Sequence, residues 1–290
     1  LDKLRLRNRI HVKVLRISTT HHTVQTRCHV QMTHALVVVG KSSRTVMVAI
    51  YVKELIKKFG DRTAVSIPDF CFPPNEIIGL VGNNGAGKTT LFRLILNLIR
   101  SDKGMIDFCI IKQKITENYE THLSNLEDSW KDFTGAYLDE SFLIDFLTPE
   151  EYFAFIIKAN KLDNKTLSEQ LQDYQTFLGE EITGQNKFIR EFSAGNKQKI
   201  GIVSALIAKP KVVILDEPFN FLDPSSQNQL KQLLTSYKRK EQATILISSH
   251  NLHHTIDISD RIVLLENGRL IENISSINVG TISDLENYFM

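Results

Sequence analysis

The sequence predicts an α/β fold with a largely parallel sheet, and three observations carry that reading. An apolar run of strand length, Ile77–Val81, passes into a Gly-rich loop and then into a helical segment. A second apolar run, Lys211–Leu215, ends in two acids, Asp216 and Glu217. Around these, strand-length and helix-length segments alternate, as repeated βα units do.

Composition sets the bounds. The 290 residues are 42% hydrophobic and 23% charged, enough to bury a core, which excludes wholesale disorder. No apolar run approaches the roughly 18 residues that cross a bilayer, so the chain is not expected to span a membrane by itself. Cys28, Cys71 and Cys109 show no C-x-x-C spacing, so neither a disulfide framework nor a zinc knuckle is expected. A reducing, cytoplasmic setting fits that usage.

Charge is unevenly spread. Residues 1–46 hold nine Lys/Arg against one acid and five of the nine histidines, whereas residues 47–290 hold 26 bases against 32 acids. Such a shift marks a boundary near Met47. The basic segment has three readings: an arm for nucleic acid or anionic lipid, a transit peptide, or an extension outside the working domain. No aromatic or Gly-rich recognition pattern accompanies the charge, which favours the last and leaves no nucleic-acid partner expected.

After the strand at Ile77–Val81, Gly82-Asn83-Asn84-Gly85-Ala86-Gly87-Lys88-Thr89-Thr90 matches G-x-x-x-x-G-K-[ST], and Leu91–Ile99 continues as helix. Glycines let main-chain N–H groups turn inward around an anion, and the helix N-terminus adds positive potential. Lys88 would reach the terminal phosphate oxygens and the Thr89 hydroxyl would hold Mg²⁺. In Val212–Glu217, carboxylates at the C-terminal end of a buried strand lie where open α/β sheets bind ligands. Asp216 would support Mg²⁺, and Glu217 would act as general base on a water.

Ile200, Val203 and Ile207 share one face of a helix. Phe192-Ser193-Ala194-Gly195-Asn196 precedes it, and Ser193 is either a structural N-cap or part of an anion site beside Lys197 and Lys199. Thr148-Pro149-Glu150-Glu151 reads as a cap, a first-turn proline and a capping-box glutamate opening a helix in which Phe153, Ile156 and Ile157 face the core. Cys109–Trp130 is polar and is expected to be a surface excursion. His253 and His254 read as surface residues. Arg261–Leu265 and Arg269–Ile274 read as a hairpin turning at Asn267-Gly268, and Ser283–Met290 as a short terminal helix.

Taken in order, these residues resemble the ATP-binding subunit of an ABC transporter, over about Ile50 to Gly268. Gly82–Thr89 resembles its Walker A motif and Val212–Glu217 its Walker B. Ser193-Ala194-Gly195-Asn196 stands at the signature position, Leu222-Asp223 at the D-loop, and His250 at the switch histidine. Phe59 stands where an aromatic stacks on adenine. The resemblance implies a P-loop NTPase of the ABC type, with a mixed sheet, an antiparallel β-subdomain and a helical subdomain inserted at about 141–208, all within a nucleotide-binding domain of residues 47–290. It implies ATP and Mg²⁺ as cofactors and Glu217, His250 and Lys88 as catalytic residues. Nucleotide contacts would fall on Phe59, Gly82, Asn83, Asn84, Gly85, Ala86, Gly87, Lys88, Thr89, Thr90, Ser193 and Gly195, and metal contacts on Thr89, Asp216 and Glu140. Glu140 stands in place of the Q-loop glutamine, and Phe-Ser-Ala-Gly-Asn replaces the usual Leu-Ser-Gly-Gly-Gln. A single copy of each motif implies a head-to-tail homodimer. The implied partner is an integral-membrane permease, at whose cytoplasmic side the protein would lie, and the Thr148–Tyr152 setting looks more like the exporter-type branch. A soluble ABC ATPase working on, for example, a cofactor-assembly scaffold is the alternative.

Overall fold

The computed structural model describes residues 45–113, 118–162, 166–250 and 252–275. The chain divides between Ser42 and Ser43, and the described residues all lie in the second unit. The expectations for the basic segment up to residue 44 and for a helix at Ser283–Met290 fall outside the described residues.

Alternation builds the first sheet. In β1 (Thr45–Phe59), Val48, Ile50 and Val52 point to one buried face, until Glu54 at φ 48° bulges the strand and keeps Leu55 inward. β2 (Arg62–Phe72) returns antiparallel, and β4 (Lys103–Gln113) and β5 (Asn118–Ser124) extend the sheet in the order β2-β1-β4-β5. This corrects the expected excursion at Cys109–Trp130. Phe108 stacks on Trp130 at 5.4 Å, both buried, and Trp130 donates its indole N–H to the Asn125 carbonyl at 2.9 Å. Glu120 and His122, part of the polar run that hid this strand pair, lie on its outer face opposite Ile111 and Cys109.

The second sheet runs β10-β9-β3-β8-β7-β6, from β3 (Ile77–Val81), β6 (Thr134–Tyr137), β7 (Val212–Leu215), β8 (Thr244–Ser249), β9 (Arg261–Glu266) and β10 (Arg269–Ile274). β3, β6, β7, β8 and β9 are parallel, and β10 is antiparallel. The hairpin turn at Asn267-Gly268 has φ 47° and 78°, the left-handed pair an Asn-Gly hairpin uses. Helix α1 (Lys88–Ile95) lies between the sheets, where Leu91, Phe92, Leu94 and Ile95 pack with Ile50 and Phe108 on one side and Ile78, Ile214 and Val263 on the other.

The far face of the mixed sheet is covered by helices that sit mostly between β6 and β7: α2 (Pro149–Ala159), α3 (Leu167–Leu171), α4 (Gln175–Leu178) and α5 (Ala194–Leu206). Phe153, Ile157, Ile200, Val203 and Ile207 pack there with Val213, Leu215, Ile245 and Ile247, and Ile156 lies against the cluster. Thr148 accepts from the Glu151 N–H at 3.3 Å while Glu151 accepts from the Thr148 N–H at 3.0 Å, which forms the capping box read from sequence. Thr148→Ala is expected to cost about 1 kcal/mol of unfolding free energy; urea denaturation with an unchanged slope would check it. After β7, α6 (Pro224–Glu241) is capped by Asp223, which accepts from the N–H groups of Ser225 and Ser226 at 2.9 and 3.1 Å. After β8 comes the short α7 (Leu252–Ile256). His254 is not the free surface residue expected, for its ring packs on Phe219 at 5.2 Å. No helix among the described residues is long and apolar enough to cross a membrane.

Candidate functional site

The phosphate loop joins the end of β3 to the start of α1, and its glycines are needed. Gly85 and Gly87 have φ 81° and 108°, and a Cβ on Gly87 would lie 2.5 Å from the Ala64 carbonyl. The Gly268 N–H donates to the Ala86 carbonyl at 2.8 Å, so the β9–β10 turn buttresses the loop from outside. Gly87 at the head of α1 offers no side-chain cap, which leaves first-turn N–H groups facing outward for an anion.

Lys88, only 7% exposed, folds over the loop and donates to the carbonyls of Gly82 at 2.6 Å and Asn83 at 3.3 Å. Burial draws its pKa below the ordinary lysine value, while the nearby Glu217 and Asp216 pull the other way. The next residue, Thr89, donates its hydroxyl to Asp216 at 2.5 Å. Asp216 also accepts the Ser248 hydroxyl, and Ser248 accepts the Glu217 N–H at 2.9 Å. Parallel pairing of β7 and β8 puts these strand ends side by side. Ser248 was not singled out from sequence, although the Ser248-Ser249-His250 run held the signal.

Glu217 has a left-handed backbone, φ 47°, a strained conformation that functional sites tend to retain. Its Oε1 lies 3.8 Å from Lys88 Nζ, and its Oε2 contacts His250 Nδ1 at 2.8 Å and the His250 N–H at 3.2 Å. Gln198, on the first turns of α5, donates to the Glu217 carbonyl at 3.2 Å. Lysine, carboxylate and imidazole thus meet at one spot.

A cavity of about 380 Å³ opens over them, lined by Phe59, Arg62, Ala64, Asn84 to Thr90 and Glu217. Phe59 is 55% exposed at its rim, with Lys57 Nζ 5.3 Å from the ring centre. Arg62, missed in the sequence, donates to the Gly85 carbonyl at 3.0 Å and adds a cation to the rim. Outward N–H groups, a lysine and a hydroxyl–carboxylate pair fit a triphosphate and a hard divalent ion: the amides and Lys88 would hold phosphate, and Thr89 with Asp216 would hold Mg²⁺.

Three of the expected residues lie elsewhere. Glu140 does not line the cavity and instead accepts from Lys197 at 3.3 Å, the two side chains being drawn together across the start of α5. Ser193 caps α5, accepting the Asn196 N–H at 3.3 Å, so the structural reading of its hydroxyl is present. Gly195 is pressed against Phe221, whose carbonyl would lie 2.6 Å from an added Cβ.

Residues 65–220 match the family model described as ABC transporter. Bacillus subtilis (strain 168) holds an uncharacterized ABC transporter ATP-binding protein, YhaQ, that is 33% identical over 220 residues, spanning 75% of this chain and 68% of that one. The bacitracin transport ATP-binding protein BcrA of Bacillus licheniformis is 30% identical over 221 residues, spanning 76% and 68%. Among solved structures, one described as the ATP binding subunit of an ABC transporter superposes with a TM-score of 0.65 at 26% identity, covering 83% of this chain and 92% of its own.

Proposed function

The chain belongs to the ABC transporter family as an ATP-binding, ATP-hydrolysing member, and from that premise we propose that it energises a separate integral-membrane permease. The nucleotide-binding domain is then the expected 47–290 extended to Thr45, since Thr45 and Val46 already pair with Gln113 and Lys112 in β1 and β4. The observation that carries the reading is the half-built site. One cavity joins the phosphate loop to Glu217, while the Ser193–Asn196 segment is absent from its lining. A second copy packed head-to-tail would bring that segment to the open side.

Within such a site each residue has a task the geometry supports. Main-chain amides at the head of α1 and Lys88 neutralise phosphate charge, and Phe59 offers a ring face to the base. Thr89 and Asp216 would hold Mg²⁺, which when bound neutralises charge on the phosphates; Glu140, paired here with Lys197, would have to leave that lysine to join them. Glu217 accepts a proton from the attacking water. His250, already hydrogen-bonded to Glu217, holds that carboxylate in place and is set to meet the terminal phosphate. Little covalent work is asked of the protein, because positioning and charge dominate phosphoryl transfer.

We read the direction as export, supported by the Thr148–Tyr152 setting, and place the protein at the cytoplasmic face of the membrane through its permease. Purification of the full chain from detergent-solubilised membranes tests the partner. Recovery of a stoichiometric companion with several membrane-length apolar segments is expected. Quantitative recovery without one would favour a soluble ABC ATPase instead.

A further inference from the structure

The outer face of the antiparallel sheet carries a cluster unrelated to nucleotide. Cys109 on β4 lies directly opposite His122 on β5, and Ile111 opposite Glu120. Side chains two apart on a strand share a face, as do directly opposed ones. Cys109, His122 and Glu120 therefore point the same way, and a sulfur, an imidazole nitrogen and a carboxylate oxygen fall within 4.8 Å of one another.

We propose that Cys109, Glu120 and His122 form a binding site for a borderline divalent transition ion of the Zn²⁺ type. The donor set of thiolate, imidazole and carboxylate is the one such ions select, whereas Mg²⁺ and Ca²⁺ prefer oxygen alone. A tetrahedral ion with bonds of about 2.0–2.3 Å holds its donors about 3.3–3.8 Å apart. Closing to that spacing needs rotation only of the outer two side chains, which are 52% and 59% exposed in His122 and Glu120, while the fully buried Cys109 stays fixed. Water is left to complete the shell.

The surroundings favour a cation. Tyr51 tilts over His122 with ring centres 5.8 Å apart, walling one side. Asp107, two residues before Cys109 on β4, faces the same side of the sheet. When the ion binds, the Cys109 thiol proton leaves to water as the sulfur–metal bond forms. The structural consequence is a tie between β4 and β5, which among the described residues is the last strand of this sheet.

Titrating the full chain with Co²⁺, and displacing it with Zn²⁺, tests the site through the sulfur-to-cobalt charge-transfer band. Cys28 and the histidines before Met47 are a second source of ligands, so Cys28→Ser is the reference protein. One equivalent of thiolate-bound Co²⁺ is expected in that reference. Removing even an outer-shell partner of a metal ligand costs about 10–100-fold in affinity, so His122→Ala, at an exposed position that leaves folding intact, is expected to weaken binding by at least about 100-fold. Glu120→Gln should weaken it too, and Cys109→Ser should abolish the band. No band in the Cys28→Ser reference, or a band of unchanged affinity in His122→Ala, would overturn the proposal.

Discussion

Glu217→Gln is expected to lower ATP turnover by about 10²–10⁴-fold, the range a positioned general base contributes, while ATP binding is retained. The amide keeps an oxygen to accept from the His250 N–H, as Glu217 does at 3.2 Å, but cannot take a proton from water. It also removes one negative charge from the cavity wall, so affinity for the triphosphate should hold or rise. Phosphate release at saturating ATP and nucleotide binding by equilibrium titration check the two halves separately. Turnover within about tenfold of the parent, a difference of only about 1.4 kcal/mol in barrier, would remove Glu217 from the base role.

Lys88→Ala is expected to abolish turnover, by at least about 10²–10³-fold, and with a different signature: ATP binding falls as well. The substitution takes away a cation meant for phosphate. Stability is expected to survive, because the buried ammonium carries a desolvation cost that lowers its pKa and its bonds to Gly82 and Asn83 lie within the loop itself. Thermal unfolding should show a midpoint near that of the parent. A large loss of midpoint would mean that the lysine serves structure first.

What could be read in the sequence, and what could not, divides along a physical line. Phosphate binding asks for contiguous residues, since the loop must turn its own amides inward; Gly82–Thr89 therefore shows its purpose without the fold. The capping box at Thr148 and the Asn267-Gly268 hairpin are likewise local. The β4–β5 pair was missed because β5, Asn-Tyr-Glu-Thr-His-Leu-Ser, lies last in its sheet among the described residues and turns Glu120 and His122 outward. Its strand identity comes from pairing with β4, not from its own apolar pattern. Arg62 became visible only when the β1–β2 hairpin carried it to the cavity, and Ser248 only when the β7–β8 pairing set it against Asp216 and the Glu217 N–H. Glu140 is a harder case: its position in the motif order pointed to metal, yet the fold sets it 3.3 Å from Lys197, 57 residues away in sequence. The metal cluster on the outer sheet face escaped for a similar reason, since cysteine spacing alone cannot reveal ligands gathered by cross-strand register.

Light scattering of Glu217→Gln with and without ATP and Mg²⁺ bears on the whole scheme at once, because a site completed by a facing copy must change the mass of the particle. A monomer without nucleotide that becomes a dimer with it, and that stays a monomer when Lys88→Ala is added, is the expected result. Saturating nucleotide binding by a particle that remains a monomer would contradict the shared site.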